Sequence, residues 1–410
     1  MLGTGKDWEI LLPHFKDDTD FKTTIASVVE KAGALVEKAG AFAEETGLSR
    51  KAAQAANLVH VEDYEYVNAR VKGMKSHLLP RQRLEAIASQ KQIGMVLSEL
   101  DNTAYGPQVQ ETVARYKQPD FACVDEVLRK NLRATFDKLS RIAAEASGEP
   151  TVILRVLLAK WTLNSVKAVL RAKHAEAPAE EVLETVAPTR ELDEADLREL
   201  ARQKDVRSVA GLLHVLQNRY AKPLLEKMEE YEKTRDLAVL ENGLDEFYYK
   251  DCLAELRGAC KSVEMMRDLV RTEIDAVNMK MVIATVLGEV PGKEAARFFV
   301  AGGKEFDRQR LAGLAESKDL DELVSRLGRS AFAKMVARQG QKRRLSAFER
   351  EFEKYLVGKG ISLSRQDPLA AGVLIGFVYS KQREVVNLRI IAKGIATGIP
   401  AEKIKAELYE

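Results

Sequence analysis

Two short patterns recur along this chain of 410 residues, and their recurrence restricts the possible folds more than any other feature. The first is an asparagine that directly follows an aliphatic residue and has a proline 12 to 14 residues after it. The pairs are Asn68 with Pro80, Asn164 with Pro178, Asn278 with Pro291 and Asn387 with Pro400. The second begins with a leucine and ends at an aromatic residue, from Leu84 to Tyr105, from Leu197 to Tyr220 and from Leu311 to Phe332. The same order of both patterns predicts three related units.

The recurring asparagine is unfavourable in the middle of a helix, because its amide competes with the backbone for hydrogen bonds. We therefore expect the amide to close a tertiary hydrogen bond, for example to the backbone of an adjacent loop; a solvated amide is the alternative. An acid precedes three of the asparagines by three residues, namely Glu65, Asp275 and Glu384, and Trp161 takes that place in the second copy. These acids either pair between neighbouring helices or lie solvated on the outer face.

The first copy is shorter than the others. The segment from Asn68 to Leu84 has about half the length of the corresponding segments, Asn164–Leu197 and Asn278–Leu311. The fourth asparagine pattern lies near the C-terminus, where Pro400 begins a last short helix. We infer that this tail supplies what the first copy lacks, so that both ends share one domain and three units close on themselves.

The chain is accordingly predicted to divide into five segments. They are an N-terminal extension (1–59) with one amphipathic helix at Phe21–Glu45, repeat 1 (60–148), repeat 2 (149–260), repeat 3 (261–366) and C-terminal helices (367–410) that return to repeat 1. Composition favours an all-α fold, since 25 glycines, 11 prolines and 6% aromatic residues are low values for this length.

The apolar spacing predicts individual helices. Three of them are expected to be continuous, over Gln82–Leu100, Asp245–Val286 and Asp307–Arg326 (the Leu197 copy is instead expected to contain two helices). Another helix is expected to end at Val357, before Gly358 and Gly360, and the next to begin with Asp367 as its cap. The run Gly372–Tyr379 could form a strand, but its continuity with the helical pattern after it favours a buried helix.

Charge and cysteine content exclude several classes of protein. The formal net charge of +2 argues against a dedicated nucleic-acid binder, which would be strongly basic. Three cysteines give no disulfide framework; we expect small buried residues in a reducing compartment, the cytosol. The charged N-terminus indicates no secretory signal, and the longest apolar run, Leu369–Tyr379, is too short to cross a bilayer.

The sequence offers no constellation for catalysis, a cofactor or a metal. None of the five histidines pairs with another at metal-ligand spacing; they are His14, His60, His77, His174 and His214. The stretch Gly288–Glu294 resembles a phosphate loop, but it lacks one residue between its glycines and has Glu294 where Ser or Thr should stand, so a turn between helices is favoured. Lys342–Arg344 could touch phosphate, but the acids that follow favour a solvated mixed face. We predict no catalytic, cofactor or metal residues, and hence a binding or structural role.

Two end segments carry a family resemblance. Asp63–Leu79 resembles the opening helix of the C subunit of archaeal and bacterial A/V-type rotary ATPases, the counterpart of the d subunit in the eukaryotic vacuolar enzyme. Lys381–Gly394 and the segment Gly398–Ile404 resemble the closing motif of that family. The middle repeats fit the same family, so the resemblance covers Val61–Glu410, and the N-terminal extension departs from it.

The resemblance implies a non-catalytic, funnel-shaped subunit of three similar helical domains in a pseudo-threefold arrangement, present as one copy per complex. Such a subunit lies on the proteolipid ring at the cytoplasmic face of the cell membrane and receives the D and F subunits of the central stalk. It transmits torque between ion translocation and ATP synthesis or hydrolysis, and takes no small-molecule substrate, cofactor or nucleic acid. We expect the basic helix face Arg129–Arg141 to contact one of these partners.

Two alternatives differ from this interpretation in ways that can be observed. A free-standing helical-repeat adaptor would form an open solenoid instead of a closed body. An enzyme would need a pocket that gathers acids or histidines with shifted pKa values.

Overall fold

The computed structural model describes residues 64–146, 148–186, 188–258, 260–339 and 344–409, all of which belong to the unit His60–Glu410. Within these ranges the chain is helical and has no β-strand, so the predicted all-α class is confirmed. The amphipathic helix predicted at Phe21–Glu45 lies outside the described residues, as do Lys342 and Arg343. No helix in the described ranges is both long enough and apolar enough to cross a membrane.

The helices of the described ranges are numbered here in chain order. They are α1 (64–75), α2 (Arg81–Ala88), α3 (Ile93–Asp101), α4 (Gly106–Val113), α5 (Phe121–Ala146), α6 (Gly148–His174), α7 (Ala179–Thr185), α8 (Glu194–Arg202), α9 (Val206–Val215), α10 (Ala221–Thr234), α11 (Leu237–Glu255), α12 (Lys261–Val286), α13 (Gly292–Ala295), α14 (Arg308–Ala315), α15 (Leu320–Leu327), α16 (Ala331–Gln339), α17 (Leu345–Gln366), α18 (Ala371–Ala396) and α19 (Ala401–Glu407).

One order of helices recurs in this list. A long helix and a short helix are followed by three helices of modest length and then by a second long helix. The helices α6–α11 follow this order, and α12–α17 follow it again. The same order results a third time when α18 and α19 are placed before α2–α5.

Packing brings the C-terminal helices to the first helices of the described chain. Helix α18 contacts α2, α3 and α5, and α19 contacts α2. A tail that docked elsewhere would have refuted the inference that it completes the first unit. These contacts support that inference, while the domain boundaries themselves stay a prediction.

Consecutive series contact each other through corresponding helices. The last long helix of each series contacts the first long helix of the next, in the pairs α5–α6, α11–α12 and α17–α18. The third pair returns the chain from the last series to the one that contains α2–α5. Each series buries its recurring aromatic residue almost completely, since Tyr105, Tyr220 and Phe332 are at most 1% exposed.

The second sequence pattern is a helix–turn–helix, not a continuous helix. The continuous helices predicted over Gln82–Leu100 and Asp307–Arg326 are therefore wrong, because the chain turns between α2 and α3 and between α14 and α15. The residue before α15, Asp319, has extended backbone and its side chain accepts a hydrogen bond from the Glu322 N–H group. This N-cap begins a new helix. The helix predicted over Asp245–Val286 is likewise two, separated at Gly258, whose φ is +113°.

Helix α17 continues past the two glycines that were expected to end it. It runs to Gln366, and Gly360 lies buried against the ring of Tyr379 on α18. Asp367 does not cap the next helix, which begins at Ala371. The favoured interpretation of Gly372–Tyr379 as a buried helix is confirmed.

Candidate functional site: polar contacts between the long helices

The recurring asparagines of the last two copies hold the segment that follows the next short helix, which is α13 or α19. The Asn278 amide donates to the Val300 carbonyl and accepts from the Val300 N–H group, both at 2.8 Å. The Asn387 amide donates to the Tyr409 carbonyl at 3.1 Å and accepts from the Tyr409 N–H group at 2.7 Å. In both cases the partner lies 22 residues further along the chain. The predicted tertiary hydrogen bond is confirmed at both positions.

The other two asparagines differ from this pair. Asn68 donates to the Ala370 carbonyl at 3.1 Å, so α1 holds the start of α18 instead of a loop of its own. Asn164 is exposed, and its predicted tertiary role is wrong. The buried residue Ser165 follows it and lies as far before Pro178 in sequence as Asn278 lies before its own proline. In the second copy, therefore, Ser165 and not Asn164 takes the buried position that asparagine holds in the third copy.

Two of the three acids before the asparagines are buried and receive hydrogen bonds from the backbone. Asp275 accepts from the N–H groups of Lys304 and Glu305, at 2.9 and 2.8 Å. Glu384 accepts from the Leu79 N–H group. Each acid thus fixes the segment that leads into the first modest-length helix of its series, while Glu65 is exposed. The sequence left two roles open for these acids, pairing between neighbouring helices or solvation on the outer face. Acceptance of hydrogen bonds from the backbone was not one of them.

Glu384 belongs to a buried cluster that joins α18 to the turn before α4. The Tyr105 hydroxyl donates to Glu384 Oε1 at 2.7 Å, and Lys381 Nζ donates to the same carboxylate at 2.8 Å and to the Tyr105 hydroxyl at 2.9 Å. Burial lowers the pKa of Lys381 and raises the pKa of Tyr105 well above 10.0. Because all three side chains are buried, removing one partner would leave an uncompensated polar group.

A second polar cluster joins the first long helices of the three series. Glu273 on α12 accepts from the Tyr379 hydroxyl of α18 at 2.7 Å and pairs with Lys160 Nζ of α6 at 3.3 Å. The Glu273 and Tyr379 side chains are buried, and burial raises the pKa of Tyr379. One carboxylate therefore contacts both of the other long helices.

A third cluster joins Tyr64 on α1 and Cys260, which precedes α12, to Glu149 on α6. Glu149 Oε1 accepts from the Tyr64 hydroxyl at 2.9 Å, and Glu149 Oε2 accepts from Cys260 Sγ at 2.6 Å. Burial raises the pKa of the Cys260 thiol to about 12. The thiol therefore stays protonated at neutral pH and acts as a hydrogen-bond donor.

The described residues assemble no metal-binding group of three or more His, Cys, Asp or Glu side chains. Cys123 and Cys252 are buried, as expected for small core residues, and Cys260 is half-buried. Burial raises the pKa of Cys123 to about 11 and that of Cys252 to about 12. The stretch Gly288–Glu294 comprises the turn after α12 and the first residues of the short helix α13, so the favoured interpretation of this stretch as a link between helices is confirmed.

The basic face of α5 is largely neutralised within the chain. Arg129 pairs with Asp125 at 3.0 Å, Lys130 pairs with Glu111 and Glu126 at 2.9 Å, and Arg133 reaches Glu194 at 3.2 Å. The remaining bases of this face, Lys138 and Arg141, are exposed. Contact of this face with a partner subunit stays a prediction, and these two bases are its most accessible members.

The fold and these contacts define an all-helical protein in which a recurring series of helices is joined through buried polar clusters. A model of the ATP synthase (C/AC39) subunit family matches residues 67–407. The chain belongs to this family.

Similar proteins carry the name of the C subunit of A-type ATP synthase. The protein of Methanocaldococcus jannaschii is 26% identical over 355 residues, which cover 86% of this chain and 87% of that protein. The protein of Methanosarcina mazei is 27% identical, with 84% of this chain and 92% of that protein covered. The protein of Methanosarcina barkeri is 27% identical, with 88% and 96% covered. The sequence-based recognition of the C subunit of A/V-type ATPases is thus confirmed.

Proposed function

We propose that this chain is the non-catalytic subunit that couples the membrane proteolipid ring to the D and F subunits of the central stalk, on the cytoplasmic face of the cell membrane. In this role it transmits torque between ion translocation and ATP synthesis or hydrolysis. Family membership and the relatives named as the C subunit of A-type ATP synthase support a place in that complex.

The observation that carries the proposal is that corresponding helices of consecutive series contact each other, in the pairs α5–α6, α11–α12 and α17–α18. A body that transmits torque must resist twisting, and a chain whose last unit returns to its first has no free end at which to unwind. Glu273 adds polar contacts from α12 to α6 and α18. We accordingly propose three repeats, with boundaries at 60–148 with 367–410, 149–260 and 261–366, that close around an axis as a funnel.

The test compares complexes purified with and without this chain. With the chain present, we expect proteolipid and the D and F subunits to co-purify with it, and ATP hydrolysis to build an ion gradient in vesicles. Without it, hydrolysis should continue in the catalytic head while no gradient forms, and adding the chain back should restore the gradient. Full coupling in its absence would contradict the proposal.

A second measurement separates this role from that of a free-standing adaptor. A solution-scattering envelope of the isolated chain should be a compact funnel, whereas the envelope of a solenoid-type adaptor would be elongated. An elongated envelope together with failure to co-purify with proteolipid would favour the adaptor.

A further inference from the structure

A cavity lies between the end of α1, the middle of α5 and the first half of α18, beside the turn before α4. Its volume is about 190 Å³. A water molecule takes up about 30 Å³ of the liquid. The cavity therefore has room for a small ion together with a few waters, and it is too small for a nucleotide.

The charges that line this cavity all have one sign. His77, Lys138 and Lys381 can each carry a positive charge, and none of the described side chains that line the cavity is an aspartate or a glutamate. Four other cavities in the described chain each include at least one glutamate, such as Glu191 or Glu232. The lining therefore favours a small anion over a metal cation or an amine.

Lys381 supplies a buried donor at the inner wall of the cavity. Its side chain belongs to the lining, and the residue is 4% exposed. The ammonium group donates to Glu384 Oε1 at 2.8 Å and to the Tyr105 hydroxyl at 2.9 Å. A lysine ammonium has three N–H donors, so one of them is available to a ligand.

The two other series show that the fold does not require a lysine at this position. Lys381 stands six residues before the buried asparagine of its own helix. In the third series, the residue six positions before Asn278 is Thr272. In the second series, the residue six positions before Ser165 is Ala159. Because a buried ammonium group is costly, a lysine found in one series alone indicates a role specific to that series.

Asn131 supplies an acceptor that no described residue satisfies. This residue lines the cavity and is 5% exposed. Its Nδ2 donates to the Ala104 carbonyl at 2.7 Å and to Gln108 Oε1 at 2.8 Å. Its Oδ1 is buried and has no hydrogen-bond partner among the described residues. Because a buried acceptor without a donor costs stability, a ligand that carries an O–H group is favoured here.

His77 and Lys138 lie at the mouth of the cavity. Both residues are exposed, and neither side chain forms an ion pair with another described residue. Lys138, and His77 when it is protonated, therefore add positive charge that is not neutralised by a neighbour. Lys381 differs from them, since Glu384 neutralises it. The mouth attracts an anion, and the inner wall supplies hydrogen bonds to it.

We propose that this cavity binds inorganic phosphate in the forms that carry an O–H group. At neutral pH the phosphate ion has both an O–H donor and charged acceptor oxygens. Its oxygens would accept from Lys138 and Lys381, and its O–H group would donate to Asn131 Oδ1. Sulfate has a similar shape and charge but no O–H group, so it would leave this acceptor unsatisfied. The site goes beyond the proposed function, because it concerns a ligand of the isolated chain and does not require assembly with other subunits.

The first test titrates the full-length chain with sodium phosphate at constant ionic strength in a calorimeter. We expect one saturable site with a dissociation constant of about 1 mM or below, and sulfate should bind at least about tenfold more weakly. Glycerol phosphate, which presents phosphate as a lipid headgroup does, should also bind more weakly because it needs more room. Equal binding of sulfate or tighter binding of the ester would overturn the proposal. So would the absence of saturable phosphate binding, which would mean that the cavity holds water alone.

The second test changes the cavity at two exposed positions of α5. Lys138→Met removes a charge at the mouth, and Ala134→Leu narrows the cavity without changing any charge. Each variant should weaken phosphate binding at least about tenfold. The matched controls are Lys75→Met and Ala144→Leu, which change exposed residues outside the lining and should leave the affinity unchanged.

All four variants should keep the helical circular dichroism of the unaltered chain, because each changed position is exposed. A loss of affinity in the controls equal to that in the cavity variants would overturn the proposal, as would unchanged affinity in either cavity variant.

Discussion

At the scale of single residues, Gly360 decides how closely α17 approaches α18. A Cβ atom added at this position would lie 2.4 Å from atoms of the Tyr379 ring. The hydroxyl of that ring donates to Glu273 on α12, so the ring cannot move away without breaking this hydrogen bond. The sequence indicated a helix end here because glycine is a poor helix former. The contact with Tyr379 overrides that local preference, and nothing in the neighbouring sequence announces it.

Substitution of Gly360 by alanine should therefore destabilise the protein, although alanine is the better helix former. Overpacking of a core typically costs about 1–3 kcal/mol. The matched control is Gly358→Ala two residues earlier in the same helix, where an added Cβ meets nothing within 4 Å. The control should gain up to about 1 kcal/mol from helix propensity. Urea unfolding of the three proteins measures the difference, and an equal effect of both substitutions would contradict the role of the Tyr379 contact.

At the scale of helices, the order of elements was accessible from the sequence because the buried positions repeat. The two patterns located three series, and the missing part of the first copy indicated the C-terminal helices that now contact α2. The errors have local causes. The Asn164 copy was misplaced because Ser165, a smaller polar residue, takes the buried position. Turns such as that before α15 were missed because the apolar spacing continues across them while a capping aspartate starts a new helix.

The polar clusters were beyond the reach of sequence reasoning for a different reason. Tyr105 and Glu384 hydrogen-bond across 279 residues of sequence, and Tyr379 and Glu273 across 106. With 62 acids in the chain, composition and helical spacing do not distinguish the buried acids from the exposed ones. The buried Asp275 and Glu384 did carry one usable signal, since each stands three residues before an asparagine of the first pattern.

Truncation after Thr397 tests whether α19 belongs with the first helices of the chain. It removes α19 and the residues that follow it, including Tyr409, and leaves Asn387 without its partner. Because α19 contacts α2, hydrogen exchange of α2 amides should become faster, while α8–α10 should keep their protection. The variant Asn387→Ala, which removes only the amide contacts, should accelerate exchange less. Unchanged protection of α2 in the truncated protein would show that the tail does not support the first helices.

At the scale of the whole molecule, burial has opposite effects on two classes of titratable side chain. It raises the pKa of tyrosines in all three series; the most buried are Tyr105, Tyr248, Tyr249 and Tyr379, each well above 10.0. Among the described residues it lowers the pKa of three lysines, which are Lys280, Lys359 and Lys381. Both shifts have desolvation of the charged form as their main cause. Unfolding therefore changes the proton binding of these tyrosines and lysines at alkaline pH.

Stability should fall steeply once the pH exceeds the ordinary lysine pKa of 10.5. In the unfolded chain tyrosines lose their protons near pH 10.0, whereas the buried phenols keep theirs in the folded state. The folded state then binds more protons, and stability is lost as pH rises, by about 1.4 kcal/mol per pH unit for each such tyrosine. The three lysines act in the opposite direction, because the folded state releases their protons first, but only below pH 10.5.

This loss can be measured as the urea midpoint of unfolding, in steps of about half a pH unit from about pH 8 to about pH 11.5. The absorbance of the phenolate form of tyrosine is recorded in parallel. The double variant Tyr248→Phe/Tyr249→Phe removes two buried phenols. The free energy of unfolding should then fall less steeply with pH, by a slope that corresponds to about two protons. Leu244→Val, a non-titrating change in the same helix, should lower stability equally at every pH, because it alters packing without altering proton binding. If the tyrosine variant declined as steeply as the unaltered protein, these phenols would already ionise in the folded state, which would require water to reach the interface where α11 packs against α6 and α12.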